Sequence, residues 1–407
     1  MRILMLTPRA PYPADHGAAL RNLSLLKWLS RRHEVSLMTF GNPDDTNVAH
    51  VLQEYARRVR VVPPPRRSRL HRLIGLGASR QPDLARRLWS PVLVARLREM
   101  LEQFAFDLVQ IEGLEMFGLW AGACAGRRGI GPIVVLDEHN AEYSLQHTTW
   151  QVSLRARDWL PAFYSLVQAQ RLRRYERQAC RTVHGVIMVS TADEASLRSL
   201  YPQVRSCVVP NGVDTTHYCA GGRETDGATV LFIGKMDYRP NVDAIRWFCS
   251  DIWPAVRTEI PHARLLVVGR DLGPEHQPLA KVPGIQLVGA VPDERPWFDR
   301  SDLLVVPMRM GSGTRIKVLQ AMAMGVPVVS TVLGISGVTA VNGSHYLLAD
   351  SAAEFARQIV VALKNPALRR ALGETARQLA SEQYDWTTIA PRLDHFYEEL
   401  IGVSGSR

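Results

Sequence analysis

The sequence predicts an α/β protein of two domains, each built on a sheet of parallel strands. At 407 residues and 46% apolar composition, the chain is long for a single hydrophobic core. Short runs that are apolar throughout alternate with stretches of helical periodicity, which is the pattern of parallel strands buried on both faces. The second half repeats the order of strand, glycine loop and helix that opens the first half, so we expect two units of the same kind.

The first half begins with a strand, Arg2–Thr7, and a helix from about Ala18 to Arg31 whose leucines recur at helical spacing. Gly17 lies at the turn between them, where a glycine lets the backbone approach a ligand or simply eases the connection. Further strands are predicted at His33–Phe40, Val59–Val62, Asp107–Ile111, Pro132–Leu136 and Gly185–Ser190, with a long arginine-rich helix at about Pro161–Thr182.

The positive charge of the chain is confined to its first half. Residues 1–200 contain 28 Lys and Arg against 18 Asp and Glu, whereas residues 201–407 contain 21 of each, so the net charge of +10 arises in the first half. The loop Pro63–Arg69 and the helical stretches of Leu70–Met100 could lie on an anionic bilayer or form a solvated surface hairpin. Because no nucleic-acid-binding motif is recognisable, we favour a membrane surface as the partner over nucleic acid.

His139 follows a predicted strand in the sequence Asp137-Glu-His-Asn140, so we expect it at the carboxyl end of that strand. A histidine flanked by carboxylates can serve as an acid, a base or an orienting donor. Asn140 can equally cap the following helix, with His139 as its exposed neighbour. From these residues alone we prefer the capping interpretation.

The second half opens with a strand and turn at Val208–Asp214 and a glycine-rich linker at Cys219–Ala228. The strand Thr229–Ile233 follows, and its loop carries Gly234 and Lys235. Later strands are predicted at Ala263–Gly269, Ile285–Val288, Leu303–Val306 and Val326–Ser330, with helices ending near Pro254, at about Ala352–Leu363 and Ala367–Tyr384, and a last amphipathic helix at Trp386–Ile401.

The stretch Met310–Ser330 is the best candidate for an anion-binding site. Its loop and helix start read Gly311-Ser-Gly-Thr-Arg-Ile-Lys317, directly after a buried strand, with the helix predicted from Thr314. The unpaired amides of a helix start would point at whatever the loop holds. Arg315 and Lys317 lie in the first turn, where cations oppose the helix dipole unless an anion such as a diphosphate offsets the cost. The alternative is a tight turn whose two cations are solvated.

Several other kinds of site and protein are excluded. The dinucleotide pattern Gly-x-Gly-x-x-Gly fails because Ile316 replaces its third glycine, and the Gly-Lys-Ser/Thr of a P-loop is absent. No apolar run approaches the roughly 18 residues of a membrane span, and early prolines interrupt the apolar start, which indicates a cytoplasmic protein. The five cysteines contain no Cys-x-x-Cys pair, and no Asp-x-Asp metal motif is present.

Five segments in chain order resemble the retaining glycosyltransferases of family 4, and the resemblance covers nearly the whole chain. They are Pro11-Tyr-Pro-Ala-Asp-His-Gly17, Asp137-Glu-His-Asn140, Pro210-Asn-Gly-Val-Asp214, Phe232-Ile-Gly-Lys-Met236 and Gly311-Ser-Gly-Thr-Arg-Ile-Lys317. The chain is most similar to the bacterial sugar transferases associated with exopolysaccharide gene clusters. The resemblance implies the GT-B fold of two facing Rossmann-like domains with parallel sheets and an interdomain cleft. Residues 1–205 would bind the acceptor and residues 206–385 the nucleotide sugar, with the C-terminal helix 386–407 crossing back to the first domain.

The resemblance also implies roles for individual residues. Lys235, Arg315 and Lys317 would neutralise the donor diphosphate, and His139 would lie beside the transferred sugar. Together these four are the implied catalytic residues. The implied donor-binding residues are Gly17, Asn211, Gly234, Gly311, Ser312, Gly313, Thr314 and Gln320.

The chain departs from the family pattern at three positions. The usual pair of glutamates eight residues apart falls at Ser312 and Gln320, and a usual lysine falls at Pro240. The first glutamate is also absent from the exopolysaccharide-associated branch. The carbonyl of Gln320 can still accept one hydrogen bond from a ribose hydroxyl, at reduced strength.

We therefore expect a metal-independent hexosyltransferase that moves a sugar, with retention, from a nucleotide diphosphate sugar to a glycan or lipid-linked acceptor of exopolysaccharide or cell-surface glycan synthesis. No cofactor and no nucleic-acid partner is expected, and the enzyme would be cytoplasmic, peripheral to the inner face of the membrane. Two alternatives remain: a sugar-nucleotide 2-epimerase of the same fold, and a non-catalytic nucleotide-sugar-binding protein, which Gln320 would suit.

Overall fold

The computed structural model describes residues 1–14, 17–65, 79, 81–126, 131–155, 158–222, 225–311 and 313–404. The chain separates into two compact units. Unit 1 comprises Met1–Val209 with Ala390–Arg407, and unit 2 comprises Pro210–Ile389.

Unit 1 is built on a sheet that has seven parallel strands in the described residues. The strands are β1 Arg2–Thr7, β2 Glu34–Phe40, β3 Arg58–Val62, β4 Leu108–Glu112, β5 Ile133–Glu138, β6 Gly185–Met188 and β7 Ser206–Val208. Their order in the sheet is β3-β2-β1-β4-β5-β6-β7, so the direction of succession reverses between β1 and β4. The carboxyl ends of all these strands meet at one edge, where open α/β sheets bind ligands.

Helices cover this sheet, as a buried parallel sheet requires. They are α1 Gly17–Ser30, α2 Thr46–Gln53, α3 Asp83–Arg87, α4 Pro91–Gln103, α5 Leu114–Cys124, α6 Glu142–Arg155, α7 Trp159–Thr182 and α8 Thr191–Leu200. Side-chain caps set several of their starts. The hydroxyl of Ser90 accepts from the amide of Leu93 (3.3 Å) at α4, and that of Ser190 accepts from Asp193 (3.1 Å) at α8.

Unit 2 repeats the arrangement with six parallel strands in its described residues. They are β8 Thr229–Ile233, β9 Arg264–Val268, β10 Ile285–Gly289, β11 Leu303–Val306, β12 Val328–Ser330 and β13 Leu347–Leu348, in the order β10-β9-β8-β11-β12-β13. The helices are α9 Arg239–Trp247, α10 Trp253–Glu259, α11 Arg295–Asp299, α12 Ile316–Ala323, α13 Ala352–Lys364 and α14 Pro366–Leu379, with a 3₁₀ segment at Pro274–Lys281 and π segments at Phe248–Ile252 and Ala380–Tyr384.

The helix expected to end near Pro254 continues beyond it. The π segment Phe248–Ile252 shifts the hydrogen-bond register, so Pro254 falls in the first turn of α10, which ends at Glu259. A proline is tolerated there because the first amides of a helix have no partner within it. The prediction that this helix ends near Pro254 was therefore wrong.

The last helix, α15 Trp386–Ser404, joins unit 1 from Ala390 onward. Asp394 of this helix accepts hydrogen bonds from Arg32 (2.6 Å) and from His33 (3.2 Å). The hydroxyl of Tyr397 donates to Gln110 in β4, both side chains being fully buried. These contacts place the end of the chain against the sheet of unit 1.

Several smaller expectations changed. Helix α12 begins at Ile316, so Arg315 is its N-cap residue rather than part of its first turn. Helix α5 was not predicted because it is buried on nearly all sides, which removes the helical periodicity of apolar residues. Of the segment from residue 63 to residue 100, residues 66–78 and 80 lie outside the described residues, and the rest contains α3 and α4. Among the described helices, none has the length and apolar character needed to span a bilayer.

Candidate functional site

In both units the candidate residues lie at the carboxyl ends of strands at or next to the reversal point, where the strand order changes direction. This point lies between β1 and β4 in unit 1 and between β8 and β11 in unit 2. In unit 2, Gly234 and Lys235 follow β8, and the loop before α12 follows β11. In unit 1, Glu112 ends β4 and His139 follows β5. A crevice forms at such a reversal because the connections on either side leave in opposite directions, and this is where open α/β sheets bind ligands.

Lys317 ties the two loops of unit 2 together. Its Nζ donates to the carbonyl oxygen of Ile233, at the end of β8, and to Oδ1 of Asn241 (3.2 Å). Asn241 in turn donates through Nδ2 to the carbonyl oxygen of Lys235 (2.9 Å). The ammonium group of Lys317 is therefore held at the reversal point by the β8 loop and by the first turn of α9.

Glycine is required where the cationic side chains approach the backbone. Gly234 has φ 155°, and a Cβ atom there would lie 2.9 Å from Nζ of Lys317 and 2.7 Å from Nδ2 of Asn241. Gly311 has φ 106°, and a Cβ atom there would lie 2.9 Å from Nη2 of Arg315. At both positions the backbone conformation disfavours a residue with a side chain, and a Cβ atom would also displace the end of the neighbouring cationic side chain.

The electrostatics of this cluster disfavour its own positive charge. Burial, together with the charge of Arg315, lowers the pKa of Lys317 to about 7, and the carboxylate of Glu294 opposes that shift. Burial also lowers the pKa of Arg315. Two cations that are partly withdrawn from water and repel one another would be stabilised by an anionic ligand.

Glu294 and Gln320 form the other side of the cluster. Gln320 is buried and donates from Nε2 to the hydroxyl of Tyr218 (2.6 Å). Burial raises the pKa of Glu294, while Lys317 and a hydrogen bond from Gln320 lower it. A carboxylate therefore lies beside Gln320, at a position to which the sequence assigned no function.

Lys235 is held by carboxylates of its own neighbourhood. Its Nζ lies 2.7 Å from Asp237 and 3.6 Å from Asp271, the residue that follows β9 by three positions. Asp271 has φ 64°, an uncommon conformation for a residue other than glycine. The side chain of Lys235 is about one third exposed, so a ligand can compete for it.

The remaining predicted donor residues of unit 2 lie in or near the two loops. Thr314 is buried, and its hydroxyl donates to the carbonyl oxygen of Gly337 (3.5 Å). Gly313 has φ 78°, and Asn211 is half-buried in the segment that opens the unit. Ser312 lies outside the described residues.

In unit 1, His139 is held by a carboxylate from the neighbouring strand. Its Nε2 lies 3.1 Å from Oε2 of Glu112, which is fully buried. A buried chain of hydrogen bonds supports Glu112 from behind: Tyr397 donates to Gln110, and Gln110 donates to the other oxygen of Glu112. The ring of His139 is thereby oriented, and the sequence alone did not identify this partner.

The charges around His139 favour its protonated form. Burial lowers the pKa of His139, but the hydrogen bond to Glu112 and the charges of Asp137 and Glu112 raise it overall. Burial and the charge of Asp137 raise the pKa of Glu112, against the opposing effects of His139 and Arg21. The capping interpretation assigned the start of the following helix, α6, to Asn140. In the structure, carboxylates from other helices accept hydrogen bonds there: the amide of Ala141 donates to Asp193 (3.3 Å) and that of Tyr143 donates to Glu176 (2.8 Å).

Glu112, Asp137 and His139 offer donor atoms within 4.8 Å of one another, which is close enough to hold a metal ion. Asp137, however, is already paired with Arg21, whose Nε lies 3.0 Å from Oδ2 and whose Nη2 lies 3.1 Å from Oδ1. The Arg21 and Asp137 side chains are both fully buried. A metal ion would have to compete with this cation, so the set is better suited to an ion-pair network than to metal binding.

A second group of carboxylates lies behind this site. Burial raises the pKa of Glu142 to about 7 and that of Glu176 to about 8, and it raises that of Glu138 well above its usual value. The negative charges of these neighbouring carboxyl groups add to the effect of burial, since Glu142 raises the pKa values of both Glu138 and Glu176. Gly17, the remaining predicted residue of unit 1, is exposed at the first position of α1, and residues 15 and 16 before it lie outside the described residues.

Comparison with known proteins identifies both halves of the chain. The family profile described as Glycosyltransferase Family 4 matches residues 16–217, and that described as Glycosyl transferases group 1 matches residues 227–365. The chain is 22% identical to a Klebsiella pneumoniae protein described as an uncharacterized 44.6 kDa protein in the cps region, over 94% of this chain and 96% of that protein. It is 26% identical to the phosphatidyl-myo-inositol mannosyltransferase of Mycobacterium leprae, over 80% of this chain and 82% of that protein.

Among solved structures, the chain is similar to Anabaena HepE in complex with UDP and glucose. The TM-score is 0.70 at 17% sequence identity, and the match covers 98% of this chain and 100% of that chain. At this identity the likeness concerns the fold.

Proposed function

This chain belongs to the family 4 glycosyltransferases and has the GT-B fold, and from that premise we propose that it transfers a hexosyl group from a nucleoside diphosphate sugar to a glycan acceptor. Unit 2 binds the donor and unit 1 binds the acceptor. Transfer proceeds with retention at the anomeric carbon through an oxocarbenium-like transition state, and the leaving diphosphate helps to deprotonate the acceptor hydroxyl.

One observation carries this proposal: two glycine loops of unit 2 hold Arg315 and Lys317 at the reversal point of a parallel sheet. Both cations have lowered pKa values there, which is the electrostatic condition that a diphosphate relieves. Lys235 adds a third, more exposed cation after β8. In the reaction these groups stabilise the negative charge that develops on the leaving diphosphate, a task that a metal ion performs in other transferases.

His139, oriented by Glu112, contacts the transferred sugar or the acceptor hydroxyl. Nε2 is engaged with a carboxylate. A protonated imidazole held in this way can donate a hydrogen bond to an oxygen that becomes negative in the transition state. Gln320 and the neighbouring Glu294 supply acceptors for the hydroxyl groups of the donor nucleoside.

The acceptor is a lipid-linked or polysaccharide glycan of exopolysaccharide or cell-surface synthesis, and the enzyme works in the cytoplasm at the inner face of the membrane. Two relatives support this part: one is described as a protein of a cps region, and the other is a phosphatidyl-myo-inositol mannosyltransferase. The excess of arginine in residues 1–200 suits an anionic membrane surface. The reaction requires no metal ion or other cofactor.

A thermal-shift screen with UDP, GDP, ADP, TDP and CMP tests the donor site. A ligand at about one hundred times its Kd stabilises the native state by about 2.7 kcal/mol, which is sufficient to move the transition. We expect UDP or GDP to give the largest shift, because HepE is described as bound to UDP and glucose and a mannosyltransferase is among the relatives.

The shift should disappear in Lys317→Ala and persist in Lys281→Ala, which removes an exposed lysine of the same unit. It should also persist in the presence of a chelator. If no nucleotide moves the transition, and calorimetry with the same nucleotides is also flat, unit 2 is not a nucleotide site and the proposal fails.

A further inference from the structure

Helix α7 of unit 1 exposes large apolar side chains at its start. Trp159 is 68% exposed, Leu160 is 84% exposed and Phe163 is 68% exposed. Single exposed apolar residues are ordinary on protein surfaces, but a contiguous group of this size indicates a site of interaction.

These exposed side chains do not belong to the face of α7 that packs into the core, because that face is formed by other residues. Ala162, Ala169, Leu172 and Ala179 are all buried at helical spacing on that side. The exposed apolar residues therefore remain available after α7 has packed against its own unit.

The exposed face continues along the helix as a row of arginines. Relative to Leu160, Phe163 follows at three residues, Arg174 at fourteen and Arg181 at twenty-one, so all four lie on one side of the helix. Arg174, Arg177 and Arg181 are exposed. The exposed side of α7 is thus apolar near the start of the helix and cationic toward its end. Leu160 and Arg174 are separated by about 21 Å along the helix axis at the usual helical rise.

We propose that this exposed face of α7 docks on an anionic membrane surface. Trp159, Leu160 and Phe163 enter the interfacial layer, and the arginines contact lipid phosphates. Tryptophan suits that layer because its ring has an apolar body and a polar N–H group, and cationic side chains beside it add attraction to anionic headgroups. The charge supports a membrane over a second copy of the chain. Residues 1–200 carry the whole net charge of +10, so they would repel the same residues of another copy. The inference rests on the proposed function in that a lipid-linked acceptor requires the enzyme to reach a membrane.

The test is co-sedimentation of the full chain with vesicles of phosphatidylcholine alone or with about 30% phosphatidylglycerol, at low and physiological salt. We expect binding only to the anionic vesicles, weaker at higher salt. The combined variant Trp159→Ser, Leu160→Ser, Phe163→Ser should lower the partition coefficient at least about tenfold, given the apolar area removed. Its control, Val332→Ser with Val361→Ser, removes two exposed apolar side chains of unit 2 and should bind like the parent chain.

A second pair of variants tests the charge without touching the apolar group. Arg174→Gln with Arg177→Gln should lower binding several-fold and reduce its salt dependence, whereas Arg357→Gln with Arg370→Gln, in unit 2, should not. Quenching of tryptophan fluorescence by brominated lipid should fall in Trp159→Phe, which keeps an apolar ring at that position.

Equal binding to neutral and anionic vesicles would overturn the proposal, as would full binding by the triple serine variant. Self-association that the triple variant abolishes, without vesicle binding by the parent chain, would make the face an interface between copies and also overturn it. The nucleotide-induced thermal shift separates this proposal from the proposed function. If the parent chain and every variant keep that shift but the parent chain does not bind vesicles, only the docking surface is wrong. If the shift is absent in the parent chain, the donor site is wrong.

Discussion

Unit 1 and unit 2 share one strand order around the reversal point but carry opposite charges at the carboxyl ends of their central strands. In unit 1, β4 and β5 end in Glu112, Asp137 and Glu138. In unit 2, Lys235 lies in the loop after β8, and Arg315 and Lys317 lie at the start of α12, after the loop that follows β11. The backbone geometry is the same in kind, so the difference in chemistry comes from the residues at a few positions after the strands.

The comparison indicates what each unit can bind. Carboxylates and an oriented histidine suit a neutral ligand with many hydroxyl groups, since they exchange hydrogen bonds with such groups and the carboxylates gain nothing from an anion. Cations that are partly withdrawn from water suit a phosphate. A shared fold can therefore host two different sites, as expected when function depends on loops placed on a common scaffold.

Removing the cations of unit 2 should have the largest effect. Arg315→Ala and Lys317→Ala should each lower kcat by about 10²–10³-fold, the range found when a group that stabilises transition-state charge is lost. Arg315→Ala should also weaken nucleoside diphosphate binding by about 1.5–3 kcal/mol, the value of a charge-assisted hydrogen bond. Release of nucleoside diphosphate from the donor measures the first effect, and calorimetry measures the second. Unchanged affinity in Arg315→Ala would show that the loop does not bind the diphosphate.

The low pKa of Lys317 predicts that donor binding takes up a proton. Because this pKa is about 7 without a ligand, Lys317 is largely neutral at pH 8.5 and becomes protonated when an anion binds beside it. Affinity should then fall by up to about tenfold for each pH unit above 7. Calorimetry at pH 8.5 in two buffers of different ionisation enthalpy reports the proton uptake. Lys317→Met should abolish it, and equal heats for the parent chain in both buffers would refute the assignment.

The carboxylate of unit 1 should act through His139. Glu112→Gln keeps the shape but removes the negative charge that raises the pKa of His139. Because His139 acts in its protonated form, the alkaline limb of the pH profile of kcat/KM should move to lower pH, and kcat should fall by about tenfold. Tyr397→Phe leaves the carboxylate in place and should change the rate less, without moving the profile. A Glu112→Gln enzyme with an unaltered pH profile would mean that Glu112 has only a structural role.

The smallest expected effect is a difference in stability between the units at alkaline pH. In unit 1 the pKa values of Glu142 and Glu176 are raised from 4.5 to about 7 and about 8, so their contribution to stability is full below pH 4.5 and is lost as pH rises through these values. In unit 2 the pKa of Lys317 is lowered from 10.5 to about 7, so the unfolded state holds more protons between these values and stability rises with pH there.

Hydrogen exchange measured by mass spectrometry at pH 6 and pH 9 can resolve the two trends, by comparing variant with parent chain at each pH. Glu176→Gln should reduce, by about 1 kcal/mol, the loss of local stability between pH 6 and pH 9 in peptides of β5 and α6. Lys317→Met should reduce the gain of local stability in peptides of β11 and α12 by a similar amount. If both units respond to pH in the same direction, their opposite electrostatics do not govern stability.

The sequence by itself determined the α/β class, most of the strands and the long helices. Parallel strands buried on both faces are predominantly apolar. This is direct in β11, which is apolar throughout, and in β8, which is apolar after its first residue Thr229. It also located the cation loop of unit 2, because two glycines and two cations after a buried strand are chemically unusual for a plain turn. The helix α5 was missed for the converse reason, since a helix buried on all sides carries no periodic signal.

Only the tertiary structure decided which side chains meet. Glu112 and His139 are 27 residues apart, and Lys317 and Ile233 are 84 residues apart, so no local pattern joins them. The signal that existed was weak: carboxylates at the end of a largely apolar strand, Glu112 in β4 and Asp137 with Glu138 in β5. The lowered pKa of Lys317 could not be predicted from the sequence either. It results from burial and from the charges of Arg315 and Glu294, which depend on packing rather than on residue type. Residue type sets which chemistry is possible, and the approach of strand ends from distant parts of the chain sets which groups perform it.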